Sequence, residues 1–201
     1  MRLIGFFLTL LLVSASAYLA GRESVPDGTE SYIGRRAWIL GEAAERAPKG
    51  QILLVGDSLS ERSGVTTLCG QQVFNAGISS ATLHDLAPLA AKLKASLQPS
   101  EVFIALGTND ARLGTDPAAF EAEYRALVGA MEPLRVVIVS LPAVGAGAEI
   151  APEQVAALNR RLQAIPVAKL LPSFTVPTVD GVHPTVEGAA LWREKVSAGC
   201  T

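Results

Sequence analysis

Two stretches of the chain, Ile52-Leu53-Leu54-Val55 and Val136-Val137-Ile138-Val139, are apolar at every position, and they constrain the fold more than anything else in the sequence. A strand with one wet face alternates apolar and polar residues. One without a polar face is covered on both sides, as in a parallel sheet with helices above and below. Short β-branched or aliphatic runs extend this reading, so strands are expected at Gln51–Val55, Val73–Asn75, Glu101–Leu106, Arg135–Leu141 and Val167–Leu171. Segments of helical periodicity lie between and after them: Thr82–Leu97, Pro117–Met131, Pro152–Ile165 and Thr185–Ala198. In the first of these, Leu83, Leu86, Leu89, Ala90, Leu93 and Leu97 recur at three and four residues and form one stripe for packing on a sheet. Strand, crossover helix and strand in repetition predict a three-layer α/β/α sandwich with a central parallel sheet of about five strands.

The chain has 201 residues, 49% of them hydrophobic, which suits one domain with a sizeable core. Residues 1–17 read as a secretory signal: Arg2, an apolar stretch from Leu3 to Val13, then Ala15-Ser16-Ala17 as an A-x-A cleavage site before Tyr18. Apolar character continues weakly to Ala20, so an uncleaved N-terminal anchor is the alternative. Both readings place the body of the protein outside the cytoplasmic membrane, periplasmic or secreted, with no stable membrane association unless the segment stays uncleaved. Residues 18–50 form a linker and a leading helix, Glu30–Arg46, stopped by Pro48 and Gly50, and residues 51–201 form the domain proper. A formal net charge of -2 without a Lys or Arg run lacks the electrostatic footprint for nucleic acid, which is not an expected partner. The chain has two cysteines, Cys69 and Cys200. In an oxidising compartment such a pair favours a disulfide, with two unrelated thiols as the alternative, and the ligand set of a structural zinc site is absent.

In open α/β sheets ligands bind beyond the carboxyl ends of the strands. Gly56-Asp57-Ser58-Leu59-Ser60 follows the first strand, Asn75-Ala76-Gly77-Ile78-Ser79-Ser80 the second, and Gly107-Thr108-Asn109-Asp110 the third, while Asp180-Gly181-Val182-His183-Pro184 precedes the last helix. A serine nucleophile needs a base, and histidine suits that task near neutral pH. Of the two histidines, His84 falls early in an amphipathic helix and reads as a partly exposed helix residue. His183 follows Asp180 at a spacing that lets the carboxylate hold one imidazole nitrogen while the other faces Ser58, although D-x-x-H alone also fits a helix-capping turn. For the oxyanion formed on attack, the donors at this edge are the Ser58 N–H, an N–H from the Gly77–Ser80 turn and the Asn109 side-chain amide. An α/β-hydrolase elbow would need glycine where Ser60 stands, and Gly145-Ala146-Gly147 lacks the later residues and the strand context of a dinucleotide site.

These blocks, in this order from Gln51 to Val196, resemble the SGNH hydrolase family, also called GDSL esterases and lipases. The resemblance implies flavodoxin-like winding of the sheet. It also implies Ser58 as nucleophile, His183 as base, Asp180 as its carboxylate partner, and Ser58, Ser80 and Asn109 as oxyanion-hole residues, with no metal or organic cofactor. Ser80 stands where the family's pattern has glycine, which keeps the backbone donor but narrows its backbone freedom. The expected substrate is a small-molecule or glycan acyl ester. The expected function is an exported serine esterase removing acyl groups, acetyl first among them, from carbohydrates through an acyl-enzyme. A lysophospholipase or thioesterase for longer chains, an envelope-glycan O-acyltransferase and a non-catalytic carbohydrate-binding module are the alternatives.

Overall fold

The computed structural model describes residues 28–200, so the expected signal segment 1–17 lies outside the described residues. The elements in chain order are α1 (Gly28–Arg46), β1 (Ile52–Gly56), α2 (Ser58–Arg62), β2 (Thr67–Leu68), β3 (Gln71–Gly77), α3 (Leu83–Leu97) and β4 (Glu101–Ala105). They continue with α4 (Thr108–Arg112), α5 (Pro117–Met131), β5 (Arg135–Val139), α6 (Pro152–Leu162), β6 (Lys169–Leu171) and α7 (Val186–Ser197). Among the described residues no helix is long and apolar enough to cross a membrane.

One sheet of six strands, in the order β2-β3-β1-β4-β5-β6, forms the middle layer. Its β3-β1-β4-β5-β6 part is parallel throughout, which is the flavodoxin-like winding. The strand number corrects the expected five. The addition is β2, two residues paired antiparallel with β3 and too short to show a period. It exists because Cys69 and Gly70 both take left-handed backbone angles, φ 52 and 71, and so close a two-residue hairpin. Winding reverses at β1, with β3 on one side and β4 on the other, and the connections diverging there leave a crevice at the strands' carboxyl ends.

The all-apolar strands serve both layers by alternation. Ile52 and Leu54 join Phe103, Val137 and Val139 against Trp192 and Val196 of α7. Leu53 and Val55 join Val102, Ile104, Val136 and Ile138 beneath α1, α3, α5 and α6. The α3 stripe from Leu83 to Leu97 is buried as its spacing requires. A reciprocal box between Thr82 and Asp85 caps that helix at its start, and Gln98, at φ 46, ends it. Leu40 and Ala44 anchor α1 into the same apolar layer.

Cys69 and Cys200 are disulfide-bonded across 131 residues, tying the β2–β3 hairpin to the segment after α7. Closing a loop of that length removes chain entropy from the unfolded state worth at most about 5 kcal/mol. Replacing both cysteines by alanine is therefore expected to lower the free energy of unfolding by several kcal/mol, and reduction of the wild-type protein should do the same. Urea unfolding with and without dithiothreitol checks this, and a midpoint indifferent to reductant would refute it.

Candidate active site

Ser58 owes its position to a sharp change of element. Strand β1 ends at Gly56, and Asp57 caps α2 by accepting the Leu59 N–H at 3.0 Å. That makes Ser58 the first residue of the helix, nearly buried, with its own N–H among the first-turn donors that a helix leaves unclaimed. Asp57 has no exposed surface, and burial pushes its carboxyl above the ordinary range against the donation from Leu59.

The Asp180 loop is folded back on itself, with the Val179 N–H donating to the His183 carbonyl at 2.9 Å. One carboxylate oxygen of Asp180 accepts the backbone N–H groups of Val182 and His183 at 3.0 and 2.7 Å. Its other oxygen meets His183 Nδ1 at 2.6 Å. The imidazole bond leads the donations that hold the Asp180 carboxyl down at about 2. An ionised carboxylate only accepts, so Nδ1 carries a proton, and in the neutral ring Nε2 is then the nitrogen with a lone pair. That nitrogen lies 3.0 Å from Ser58 Oγ. The geometry suits removal of the hydroxyl proton by imidazole, with the resulting imidazolium stabilised by the carboxylate behind it.

At the end of β3 the backbone donors sort themselves by partner. Ile78 donates to the Gly56 carbonyl, Ala81 to the Ile78 carbonyl, and Ser79 to Glu61 Oε2 at 2.6 Å. The Ser80 N–H has no such acceptor among the described residues, and Ser80 lines the cleft at φ 66. The left-handed angle that glycine would take freely is thus held by serine, at a cost of about 1–2 kcal/mol in backbone strain. Asn109, on the first turn of α4, donates from Nδ2 to the Ala81 carbonyl at 3.0 Å, which fixes the amide and leaves its second N–H uncommitted.

Glu61 is the participant that the sequence did not reveal. Besides holding Ser79, its Oε1 accepts the Tyr32 hydroxyl at 2.6 Å and lies 3.1 Å from Arg36 Nε, both on α1. Burial works to raise its carboxyl, but donations from Ser79 and Tyr32 and the Arg36 charge outweigh burial and lower it. The leading helix thereby holds the Ser79–Ser80 turn through a single carboxylate. The spacing of Glu61 three residues after Ser58 becomes meaningful only once α2 is known to be helical.

Ser58, Ser80, Asn109, Asp180 and His183 border one cleft of about 520 Å³, with Arg62, Arg112 and Glu149 also on its wall. His84 lies away from it, exposed on α3. The Gly145 N–H donates to the Gly181 carbonyl at 2.7 Å, so the Gly145–Gly147 stretch supports the Asp180 loop. Among the described residues no cluster of His, Cys, Asp or Glu is arranged to hold a metal ion.

The model of the GDSL-like Lipase/Acylhydrolase family matches residues 41–191. No curated protein matches the sequence. Among solved structures, a Streptococcus pneumonia protein provisionally assigned as a platelet activating factor superposes with a TM-score of 0.71 at 18% identity, covering 86% of this chain and 96% of that one. A lipase/acylhydrolase from Enterococcus faecalis superposes at 0.61 and 18% identity over 74% and 94% of the two chains. A GDSL-like lipase from Bacteroides thetaiotaomicron does so at 0.60 and 18% identity over 86% and 97%. At these identities the superpositions establish a shared fold.

Two measurements test the supports of the site. Glu61→Ala frees the Ser79 amide and unties α1, and is expected to lower turnover of an ester probe about 10- to 100-fold, short of deleting a donor outright. Activity within twofold of wild type, with circular dichroism unchanged, would remove Glu61 from the site. Asp110 supplies the second test. It accepts the Leu83 N–H at 3.2 Å, and burial, helped by the charges of Asp57 and Glu123, raises its carboxyl from 3.8 to about 6. Between those values the folded state binds the proton more tightly than the unfolded state does, so stability falls as pH rises across that window, by at most about 3 kcal/mol. Asp110→Asn should flatten the decline in urea midpoints between pH 4 and pH 7; equal slopes in the two proteins would contradict the assignment.

Proposed function

Since this chain belongs to the GDSL-like lipase/acylhydrolase family and is a serine ester hydrolase, we propose that Ser58, His183 and Asp180 form its catalytic triad and that its substrates are short acyl esters, acetyl esters of carbohydrates foremost. The observation that carries the reading is the continuous relay from Asp180 Oδ2 to His183 Nδ1 at 2.6 Å and from His183 Nε2 to Ser58 Oγ at 3.0 Å.

Ser58 Oγ attacks the acyl carbonyl while His183 Nε2 takes its proton. The carbonyl oxygen becomes an oxyanion facing the N–H groups of Ser58 and Ser80 and the Asn109 amide, donors held in place before the reaction starts. Collapse breaks the ester bond, the proton passes from His183 to the leaving alcohol, and the acyl group remains on Ser58. Water, deprotonated by His183, attacks that acyl-enzyme. A second collapse releases the carboxylic acid and returns the proton to Ser58.

The short-acyl reading is supported by the wall of the cleft, where Ile150 and Val182 are the aliphatic side chains and the rest is largely hydroxyl, amide and charge. A long acyl chain would gain little there, since roughly 0.8 kcal/mol per methylene is available only against apolar surface. Export is supported by the Cys69–Cys200 bond, because disulfides persist in oxidising compartments.

Rates on nitrophenyl acetate, butyrate, octanoate and palmitate test the chain length. A fall after acetate is expected, and a maximum at octanoate or beyond would shift the assignment to lysophospholipid or thioester hydrolysis. Ser58→Ala should abolish fluorophosphonate labelling and lower activity by orders of magnitude with the fold intact. Asn109→Ala should lose roughly 10²- to 10³-fold in turnover, while Ser80→Gly, which keeps the amide, should stay within about tenfold. Absence of both turnover and labelling in the wild-type protein would favour a carbohydrate-binding module.

A further inference from the structure

We propose that Arg62 and Arg112 form an anion subsite beside the triad, selecting acyl esters whose alcohol portion carries a carboxylate or phosphate. The inference rests on the ester-hydrolase reading of the same cleft. Arg62 follows Ser58 by four residues on α2, and Arg112 follows Asn109 by three on α4. Those spacings put each arginine on the same helix face as a residue of the site. Both guanidinium side chains border the cleft.

What distinguishes them is that they are free and also border the cleft. Arg36, Arg125, Arg135 and Arg161 are held in ion pairs with glutamates, and Arg193 donates to the Ser63 carbonyl. Neither the Arg62 nor the Arg112 guanidinium has an ion pair or hydrogen bond with any described residue, and both residues are exposed; Arg35 and Arg160 are as free but do not border the cleft. The chain carries a net charge of -2, so two unpaired cations bordering one cleft are not part of a generally basic surface. Two acidic residues border the same cleft, Asp180 and Glu149. The Asp180 carboxylate is committed to His183, which leaves Glu149 alone against two arginines.

A guanidinium presents paired N–H donors that match the oxygens of a carboxylate or a phosphate, and such charge-assisted contacts are about twice as strong as neutral ones. A neutral ester gains nothing from them. The anion must sit on the part of the substrate that the cleft accommodates, within reach of Arg62 and Arg112 while the ester carbonyl meets Ser58.

The test compares kcat/KM for matched esters at low ionic strength: mono-O-acetylated glucuronate against mono-O-acetylated glucose, and acetyl glycerol phosphate against acetyl glycerol, with nitrophenyl acetate as a common reference. The anionic member of at least one pair is expected to be preferred by about tenfold or more, chiefly through KM. The favoured pair identifies the anion as carboxylate or phosphate. In R62Q/R112Q, with folding checked by circular dichroism and unfolding midpoint, the preference should fall to near one. Should that variant not fold, raising salt from about 20 mM to about 500 mM with the wild-type enzyme must shrink the preference in the same direction. Ratios near one in both wild-type pairs, or a preference indifferent to salt and to the double substitution, would overturn the subsite while nitrophenyl acetate turnover leaves the esterase reading standing. A wild-type protein inactive on all five esters would overturn the subsite together with the acetyl-ester reading of the cleft.

Discussion

The active-site edge depends on how closely the backbone of α2 approaches the ends of β1 and β3. A β-carbon on Gly77 would stand 2.3 Å from the Glu61 nitrogen, and one on Gly56 would stand 1.9 Å from Ser60 Oγ. No other residue fits at either place without lifting the helix. Because the helix sits that low, the Asn75 amide reaches the Ser60 carbonyl at 2.7 Å and the Glu61 carboxylate reaches the Ser79 N–H. Ser58 and the Ser80 donor are therefore held by one rigid contact between a short helix and a strand end. The leading helix α1 enters the same arrangement through Tyr32 and Arg36. A segment preceding the first strand thus braces a turn that follows the third.

The carboxylates divide according to what surrounds them. Asp180 is half exposed and accepts its donors from backbone and imidazole, so it stays ionised and can offset an imidazolium. Asp57 and Asp110 are buried at the sheet edge and each receives a backbone N–H, but burial dominates and raises both. Their bonds to Leu59 and Leu83 satisfy first-turn donors of α2 and α3, the helices on either side of the Ser79–Ser80 turn. Carboxylates at one sheet edge are thus used in opposite ways, one as a charge and two as acceptors for helix first-turn N–H groups.

The layers above and below the sheet are unequal. Helices α1, α3, α5 and α6 cover one face, while α7, with Trp192 and Val196, takes the centre of the other. The hairpin and the disulfide reinforce that thinner side: Val65 and Leu68 complete its apolar cluster, and partly buried Cys69 and Cys200 pack against it. The bond therefore does locally what an additional helix would do, since a covalent tie limits the unfolded chain where less apolar area is available for burial.

Much of this could be read along the chain because the signals are local. All-apolar runs mark strands covered on both faces, leucines at three and four residues mark α3, and each block at the cleft follows a strand or precedes a helix, so topology alone brings Ser58, Asn109, Asp180 and His183 to one edge. The two-residue β2 was not legible, because so short a strand has no period and arises from a hairpin closing onto β3. Glu61 was not legible either, since its partners lie 29 residues before it and 18 after it. The sequence by itself determined the parallel sandwich, the order of its blocks and which residue types meet at the strand ends, because periodicity and turn chemistry act over a few neighbouring residues. Tertiary structure alone decided which backbone donor of the Ser79–Ser80 pair is claimed by Glu61 and which is left without an acceptor, and which arginines remain unpaired. Those outcomes depend on what each polar group meets across the fold, a competition between partners far apart in the chain that no local pattern records.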